Sequence, residues 1–514
     1  MIMPISPIWP AATAVNAEGS IEFHGRTAES LLDEFGSPLY LIDTDEVVAC
    51  ARHFVRAAAE AFNTSTTHVS FAGKAFLSKE VVRLVTEAGM FVDTCTMGEM
   101  KIALAAGVPG RRLVLHGNNK SDEEIALAIE QGFAKIVIDE PDEPERVAAI
   151  ARKLGKRARV MLRVTVGVHA GGHEYISTAH EDQKFGVPLL AAGADAAVLD
   201  VLNDLKDVTP AATNARISAT HSPENGAEKT EKSERELHYD VKYPYDLSHE
   251  EVSDTDKALA AAMEAIADGP SIAVLKIILA NQDVLELVGA HSHIGSNIHD
   301  AEAFIHAAKR MMLLRKTLWA TDAYILPEII DVELTRLADA VNSTNRALGM
   351  PAPAISFEPG RYIVAPAGVT LYRVGTIKHV HLSDAKDSAG NPIAERVYVS
   401  VDGGMSDNIR PALYGADYTA RLANRTGSAE TMLARVCGMH CESGDIVVHE
   451  VQLPADLKRG DILAVPVTGA YGRTMASNYN QALIPAVVAV SESGAHVMLR
   501  RQTVDDLLNL DVSE

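Results

Sequence analysis

The chain has 514 residues and a formal net charge of −22, with 47% hydrophobic and 23% charged residues. This composition is typical of a globular protein long enough for two or more domains. The excess of acidic residues argues against a nucleic-acid-binding surface, which needs clustered Lys and Arg, and a small-molecule enzyme fits better.

The N-terminus and the cysteines bear on the location of the protein. Residues 1–19 lack both a basic region and an apolar core, so we expect no signal peptide. No run of about 18 apolar residues predicts a membrane span. Four cysteines are too few for a disulfide framework in a chain of this size. We therefore expect a protein of the reducing cytoplasm.

Short apolar runs alternate with helical patterns through the first half of the chain. Five of these runs begin 22 to 24 residues apart, at Val69, Phe91, Leu113, Lys135 and Arg159. The helical patterns between them end on glycines, as helices commonly do: Gly89, Gly107 and Gly132. Strands that alternate with helices in this way predict βαβ units and a parallel sheet.

Three later runs complete the pattern. They begin at Leu287, Tyr324 and Ile355, and they bring the strand count to eight. Eight such units predict a (β/α)8 barrel. A doubly wound open sheet is the alternative, and it ranks second because no GxGxxG follows the first strand.

The pattern changes after Arg361. Alternating stretches such as VGTIKHVHL, RVYVSVDGG and DILAVPV, separated by turn residues, predict an antiparallel β domain. The strand pattern at 37–47 is expected to join it. The predicted organisation is an N-terminal segment 1–47 that belongs to the β domain, a barrel 48–358, and a C-terminal β domain 359–514.

Residues 209–255 interrupt the barrel pattern. They are polar, charged and aperiodic, which predicts a disordered surface insertion. A partner-binding loop is the functional alternative.

Polar residues cluster at the predicted carboxyl ends of the barrel strands. Lys74 follows Val69–Ala72 directly, after the break at Gly73, and this end of a barrel is where catalytic residues gather. Taken alone, a lysine here is more often a solvated surface residue. Further clusters are the DTCTMGE of 93–99, His116 in HGNNK, the HSHIGS of 291–296 and the EPGR of 358–361.

The predicted β domain adds DGGMSDNIRPALYG at 402–415, CESGD at 441–445 and GAY at 469–471. With AGKA, HIGS, EPGR, CESGD and GAY in this order, the sequence resembles the alanine-racemase-like (fold-type III) decarboxylases that depend on pyridoxal 5'-phosphate (PLP). The resemblance covers nearly the whole chain outside the insertion. It implies amino-acid decarboxylation, and the CESGD context favours meso-2,6-diaminopimelate as substrate and L-lysine as product. The alternatives are a decarboxylase of the ornithine/arginine type and a catalytically impaired regulatory paralogue.

The resemblance also implies roles in cofactor binding. Lys74 is expected to hold PLP as a Schiff base, Glu358 to pair with the ring nitrogen, and His293 to stack on the ring. The residues expected to bind the phosphate are Ser296, Gly360, Arg361 and Tyr471.

Substrate roles follow from the same resemblance. Arginines and tyrosines are expected to clamp the carboxylates, and Glu442 to receive the distal ammonium; the set is Arg361, Arg410, Tyr414, Glu442 and Tyr471. Cys441 is the expected proton donor or helper. CESGD reaches the active site of the other subunit in this family, which implies a homodimer with shared sites. A zinc site at Cys437–Cys441 lacks a second ligand cluster, so no metal is expected.

One departure from the family concerns the phosphate. A Gly-Gly-Gly turn is expected after the seventh strand, but residues 321–341 contain no glycine. Because barrel phosphate sites favour the loops after strands 7 and 8, we expect weakened PLP binding.

Overall fold

The computed structural model describes residues 3–4, 8–168, 184–205, 253–294, 301–330 and 335–513. The chain divides into two compact units, Met1–Glu60 with His68–Ile136 and Phe357–Glu514, and Ala61–Thr67 with Val137–Ser356. Of the predicted insertion, only 253–255 fall in the described part, where Ser253 caps a helix that begins at Asp254. The rest of that prediction lies outside the described residues.

The N-terminal segment forms a small antiparallel sheet followed by two helices and a strand. These elements are β1 (Met3–Pro4), β2 (Thr13–Val15), β3 (Ile21–Phe23), β4 (Arg26–Thr27), α1 (Ala28–Phe35), β5 (Leu39–Asp43) and α2 (Thr44–Ala61). Thr27 begins α1 as its N-cap, with a side chain that accepts a hydrogen bond from the Ser30 N–H.

The middle of the chain alternates strands and helices. The strands are β6 (Thr67–Ala72), β7 (Phe91–Thr94), β8 (Leu113–Leu115), β9 (Lys135–Ile138), β10 (Ala158–Thr165), β11 (Val187–Pro188), β12 (Leu285–His291), β13 (Glu328–Ile330) and β14 (Ala354–Phe357). The helices are α3 (Lys79–Glu87), α4 (Met97–Ala105), α5 (Asp122–Glu130), α6 (Glu143–Leu154), α7 (Val201–Asp204), α8 (Asp254–Ala267), α9 (Pro270–Ala280), α10 (Ala301–Asp322) and α11 (Thr335–Ala347).

Eight of these strands form a closed parallel sheet in the order β10-β12-β13-β14-β6-β7-β8-β9, with β9 also paired to β10. In the first unit β6, β7, β8 and β9 pair in succession. In the second unit the Ile355 N–H of β14 donates to the carbonyl oxygen of Thr66, the residue directly before β6. The strands β8 and β9 are buried along their whole length, as expected for a sheet covered on both faces. The predicted (β/α)8 barrel is confirmed.

One predicted strand, the apolar run from Tyr324, contains a strand in the structure but starts at a different residue. The apolar run begins at Tyr324, whereas β13 begins at Glu328, directly after Pro327. Proline has no N–H to donate to a strand ladder, so pairing starts only after it. Tyr324 instead donates its hydroxyl hydrogen bond to the Leu287 carbonyl oxygen, at 2.6 Å.

The last part of the chain is rich in strands. Its elements are α12 (Arg361–Val364), β15 (Gly368–Lys386), β16 (Pro392–Val401), α13 (Arg410–Tyr414), β17 (Arg421–Leu422), β18 (Thr431–Cys437), β19 (Ile446–Pro454), β20 (Ile462–Pro466), β21 (Ala486–Ser491), β22 (Gly494–Leu499) and α14 (Val504–Leu508). The sheet order is β19-β18-β16-β15-β5-β21-β22, with β20 paired to β15 and β17. The strand predicted at 37–47 therefore joins this sheet as β5.

The sheet is mostly antiparallel, as predicted, but the β16–β18 and β5–β21 pairs are parallel. Parallel neighbours cannot be joined by a hairpin, and here long connections precede the second strand of each pair. The prediction missed these pairs because alternation along a strand does not reveal the direction of its neighbour.

Apolar side chains from the N-terminal sheet and the large sheet form one core in the first unit. Ile21, Leu31, Leu39, Leu371 and Ile462 are all fully buried in it. Within the described ranges no single helix is long and apolar enough to cross a membrane, and one bent pair, α8 with α9, passes that test by length and composition only.

Candidate active site

Lys74 lies at the carboxyl end of β6, in a tight turn that leads to α3. The turn is a single 3-10 turn, Gly73–Ala75, and Ser78 caps α3 by accepting a hydrogen bond from the Val81 N–H. A Cβ at Gly73 would lie 2.6 Å from the Asp93 carbonyl oxygen, so the close approach requires glycine. The Lys74 side chain is exposed although the residues on either side are buried. The turn therefore presents the amine at the end of the barrel strand.

A carboxylate shares the surroundings of this amine. Burial raises the pKa of Glu99, while a hydrogen bond from the Cys95 N–H and the positive charges of Lys74 and His116 oppose the rise. The hydrogen bond from Cys95 to the Glu99 carboxylate is 2.6 Å long. Glu99 is thus held by the backbone that follows β7.

Three ionisable side chains meet where β7, β8 and β14 end. The Nε2 atom of His116 lies 3.2 Å from Oε1 of Glu358 and 3.7 Å from Oδ1 of Asp93. Burial lowers the pKa of His116, but the two carboxylates outweigh burial and raise it to about 9. Burial and the neighbouring Glu358 raise the pKa of Asp93. A cationic imidazole therefore stands between one buried acid, Asp93, and one half-buried acid, Glu358.

The EPGR turn packs closely against the turn that carries Lys74. The Ala72 N–H donates to the Pro359 carbonyl oxygen at 3.2 Å. A Cβ at Gly360 would lie 3.0 Å from the Cβ of Ala72 and 3.1 Å from that of Ala75. This close packing brings Glu358 and Lys74 to neighbouring backbone segments.

Two arginines and two tyrosines form a cationic cluster in the same unit. The guanidinium carbon of Arg361 lies 4.9 Å from the centre of the Tyr471 ring, and that of Arg410 lies 5.4 Å from it. Arg410 also lies 5.2 Å from the centre of the Tyr414 ring. Burial and the charge of Arg410 lower the pKa of Arg361. Two partly or fully buried guanidinium groups side by side form a site for an anion.

The GAY turn connects this cluster to Lys74. The Tyr471 N–H donates to the Ala75 carbonyl oxygen at 2.8 Å, with Tyr471 at a positive φ of 60°. The turn begins at Gly469, whose backbone crosses that of the segment after α12. A Cβ at Gly469 would lie 1.8 Å from the Val364 carbonyl oxygen. Close backbone contact thus fixes the start of the turn.

The CESGD loop is anchored at its last residue. Asp445 accepts hydrogen bonds from the Met405 N–H at 2.6 Å and from the His440 N–H at 2.8 Å. Cys441 and Glu442 lie between these anchors and are exposed. Within the described part of the chain, Cys441 and Glu442 belong neither to the group of His116, Glu358 and Asp93 nor to the cationic cluster.

The remaining site predictions fall on the second unit. His293 follows β12 and is half-buried. Ser296 lies outside the described residues, as do residues 331–334 of the stretch in which a glycine-rich turn is missing. On either side of that gap, β13 ends at Ile330 and α11 begins at Thr335.

Sequence reasoning gave no role to several residues that the structure places in contact with the site. Tyr418 lies near the positive charges of Arg410 and Arg361, and burial raises the pKa of its hydroxyl although these charges oppose the rise. Asp93 and His116 stood in motifs noted at strand ends, so position was the available signal for them. Tyr418 carried no such signal.

The residues present fit PLP by the chemistry of their groups. The cofactor requires an amine for its aldehyde, a carboxylate for its ring nitrogen and donors for its phosphate. The structure offers Lys74 on an exposed turn, Glu358 beside a cationic histidine, and the pair of guanidinium groups next to Tyr471.

Two family models match this chain. Residues 50–209 match a family model described as the pyridoxal binding domain of pyridoxal-dependent decarboxylases. Residues 135–469 match the C-terminal sheet domain of the same enzymes.

Curated relatives extend the similarity to the whole chain. A diaminopimelate decarboxylase of Mycobacterium tuberculosis is 38% identical over 527 residues, covering 98% of this chain and 98% of that protein. That of Bacillus subtilis is 31% identical, covering 97% of this chain and 96% of the relative.

Solved structures share the fold. A diaminopimelate decarboxylase from M. jannaschii, in co-complex with L-lysine, matches with a TM-score of 0.73 and 23% identity over 98% of both chains. The Helicobacter pylori enzyme complexed with L-lysine matches with a TM-score of 0.66 and 24% identity, covering 94% of this chain and 98% of that one. Taken with the family models and the curated relatives, these findings show that the chain belongs to the pyridoxal-dependent decarboxylases, and within them to the diaminopimelate decarboxylase family.

Proposed function

We propose that this chain is a PLP-dependent carboxy-lyase that converts meso-2,6-diaminopimelate to L-lysine and CO2, the last step of lysine biosynthesis. The observation that carries the proposal is end-to-end similarity to curated diaminopimelate decarboxylases, in a chain whose Lys74 turn is bonded to the cationic cluster. A dicarboxylate substrate needs cations, and this cluster supplies them.

The proposed cofactor roles are those that the family resemblance implies, and the contacts described above support those of Lys74, Glu358 and Tyr471. When bound, PLP supplies an electron sink for the charge left as CO2 departs. Lys74 would hold the cofactor covalently, Glu358 would accept a hydrogen bond from the ring nitrogen, and His293 would cover a ring face. Ser296, Gly360, Arg361 and Tyr471 would bind the phosphate, and two of them, Arg361 and Tyr471, belong to the cationic cluster.

The substrate roles fall to the same cluster and to the CESGD loop. Arg361, Arg410, Tyr414 and Tyr471 bind the substrate, the two guanidinium groups taking its carboxylates, and Glu442 receives the distal ammonium. Burial of Arg410, with its guanidinium packed against two tyrosine rings, holds it in one orientation. Such preorganisation limits the entropy lost on binding.

Cys441 is proposed as the donor, or helper, for protonation of the α-carbon. Since Cys441 and Glu442 are exposed in one subunit, we propose that they complete the site of a second subunit in a homodimer. We propose two domains: a cofactor-binding barrel of residues 48–358, and a β domain of residues 359–514 that residues 1–47 join. We propose the cytoplasm as its location, since all four cysteines are free thiols.

The function is tested by incubating the purified protein with PLP and meso-diaminopimelate, and by measuring L-lysine and CO2. Ornithine, arginine and no amino acid are the parallel arms. Lysine formation in the first arm alone is expected. Release of CO2 from ornithine or arginine at a higher kcat/KM would overturn the substrate assignment, and release from none would overturn the activity.

Matched variants test the residues. Lys74→Ala should abolish turnover, whereas Lys79→Ala, on the first turn of α3, should leave it unchanged. For the shared site, inactive Lys74→Ala and Cys441→Ala proteins should regain part of the wild-type rate when their subunits exchange. No recovery, with exchange shown by mass spectrometry, would place each site within one chain.

A further inference from the structure

His116 is a buried histidine to which the mechanism above gives no role. It follows β8 directly, and its side chain is only 10% exposed. One nitrogen, Nε2, lies within ion-pair distance of both Glu358, at 3.2 Å, and Asp93, at 3.7 Å. Glu358 is the residue proposed to meet the cofactor ring. His116 is thus in ion-pair contact with that carboxylate.

The main chain of His116 is fixed independently of its imidazole. The His116 N–H donates to the Thr94 carbonyl oxygen at 2.8 Å, and the Thr94 hydroxyl donates to the Val114 carbonyl oxygen at 2.9 Å. A replacement of the side chain therefore leaves the backbone contacts between β7 and β8 in place. The imidazole is available for a task other than holding the strands.

We propose that His116 is a positioning residue that holds Oε1 of Glu358, fixing the orientation of this carboxylate so that Oε2 remains for the ring nitrogen of PLP. The inference rests on the proposed function. A carboxylate on a flexible side chain can rotate, and a donor on one of its oxygens removes that freedom. Asp93, on the other side of Nε2, holds the imidazole in turn.

The test is a double-mutant cycle on PLP affinity, measured by titrating the cofactor-free protein. His116→Gln in the wild-type background should weaken PLP binding by about fivefold or more, as expected for about 1 kcal/mol of coupling between contacting residues. In the Glu358→Gln background the same substitution should have almost no effect, because the carboxylate it positions is gone. Equal losses in the two backgrounds would overturn the proposal.

Two further measurements separate positioning from a purely structural role. His116→Leu should lower kcat by about tenfold or more with little change in the KM for meso-diaminopimelate, and His116→Gln should restore part of the loss because it keeps an N–H donor. His24→Leu is the matched control, since the His24 side chain is also only 10% exposed and is paired with Asp43 at 3.0 Å. If His116→Leu does not fold, the double-mutant cycle with His116→Gln and Glu358→Gln still tests the proposal.

Failure of this inference differs from failure of the function. A wild-type protein that neither binds PLP nor forms lysine would contradict the proposed function. If the wild-type protein does both, but the double-mutant cycle is additive or His116→Leu has an unchanged kcat, only the proposed role of His116 is contradicted.

Discussion

Gly469→Ala should reduce activity more than the addition of one methyl group suggests, because Gly469 lies where two backbone segments cross. The added Cβ would lie 1.8 Å from the Val364 carbonyl oxygen and 3.0 Å from the Gly368 nitrogen. No side chain can rotate to relieve a contact with backbone. The segment that begins the GAY turn must therefore move by at least about 1 Å to reach normal contact distances.

The expected loss follows from that displacement. The hydrogen bond from Tyr471 to the Ala75 carbonyl oxygen is 2.8 Å long, and such a movement would lengthen it beyond hydrogen-bonding range. Tyr471 and the guanidinium groups around it would then shift relative to Lys74. A misplacement of about 1 Å costs on the order of 100-fold in rate, and overpacking of this kind costs about 1–3 kcal/mol of stability.

The assay is kcat/KM for meso-diaminopimelate together with the thermal midpoint, for Gly469→Ala and for Gly375→Ala. Gly375 lies in the same β domain, and a Cβ there would meet its nearest neighbour, the Ser400 carbonyl oxygen, at an ordinary 3.5 Å. The control should retain nearly all its activity. A folded Gly469→Ala protein with wild-type kcat/KM would refute the view that this crossing positions Tyr471.

Three further predictions follow from the same contacts. Borohydride reduction of the holoenzyme should attach the cofactor to the peptide that contains Lys74, and attachment at Lys79 would contradict the assignment. Arg410→Met should raise the KM for meso-diaminopimelate by about tenfold or more through loss of a charged hydrogen bond, and an unchanged KM would remove Arg410 from the site. The cofactor-free protein should gain stability from His116 fully below pH about 6.5 and lose it as pH rises through the folded pKa of about 9, because the folded state binds that proton more tightly. A thermal midpoint difference between wild type and His116→Gln that stays constant from pH about 5.5 to about 10, about one unit beyond each pKa, would contradict this.

PLP binding is the property in which this chain should differ from its relatives. Residues 321–341 contain no glycine, and we expect this to cost the phosphate two backbone donors. Such a loss corresponds to about 3–6 kcal/mol, or about two to four decades in affinity. We expect a protein that loses PLP on dialysis and needs added cofactor. Full retention of PLP after dialysis would show that other residues complete the phosphate site.

The barrel could be predicted from the sequence because its strands are short, buried and regularly spaced. Fully buried parallel strands such as β8 and β9 read as continuous apolar runs, and the helices between them stop at glycines such as Gly89 and Gly107, both at positive φ. The motifs at the strand ends then gave the position of Lys74 and Glu358. The start of β13 was wrong because a proline inside an apolar run moved the boundary.

Contacts between distant segments could not be predicted in this way. The parallel pairing of β16 with β18 leaves no local trace, since alternation is the same for both directions of the neighbour. Likewise the contact of His116 with Glu358 joins residues more than 200 positions apart. Motif position showed that each lies at a strand end, but which strand ends meet depends on the closure of the barrel.

The central place of β5 in the large sheet affects how the protein is made. Residues 39–43, all buried in the folded state, pair with β15 on one side and with β21 on the other. The β21 partner is more than 400 positions away, and at roughly 5–20 residues per second a ribosome needs about 20 to 90 s to make the intervening chain. Both edges of β5 are open until β15 has been made, and the edge that pairs with β21 stays open for the whole interval. An apolar strand with an open edge is prone to pair wrongly. Chain termination just before Ala486 would leave one of those edges open for good, so nascent and truncated chains should depend on chaperones far more than the finished enzyme does.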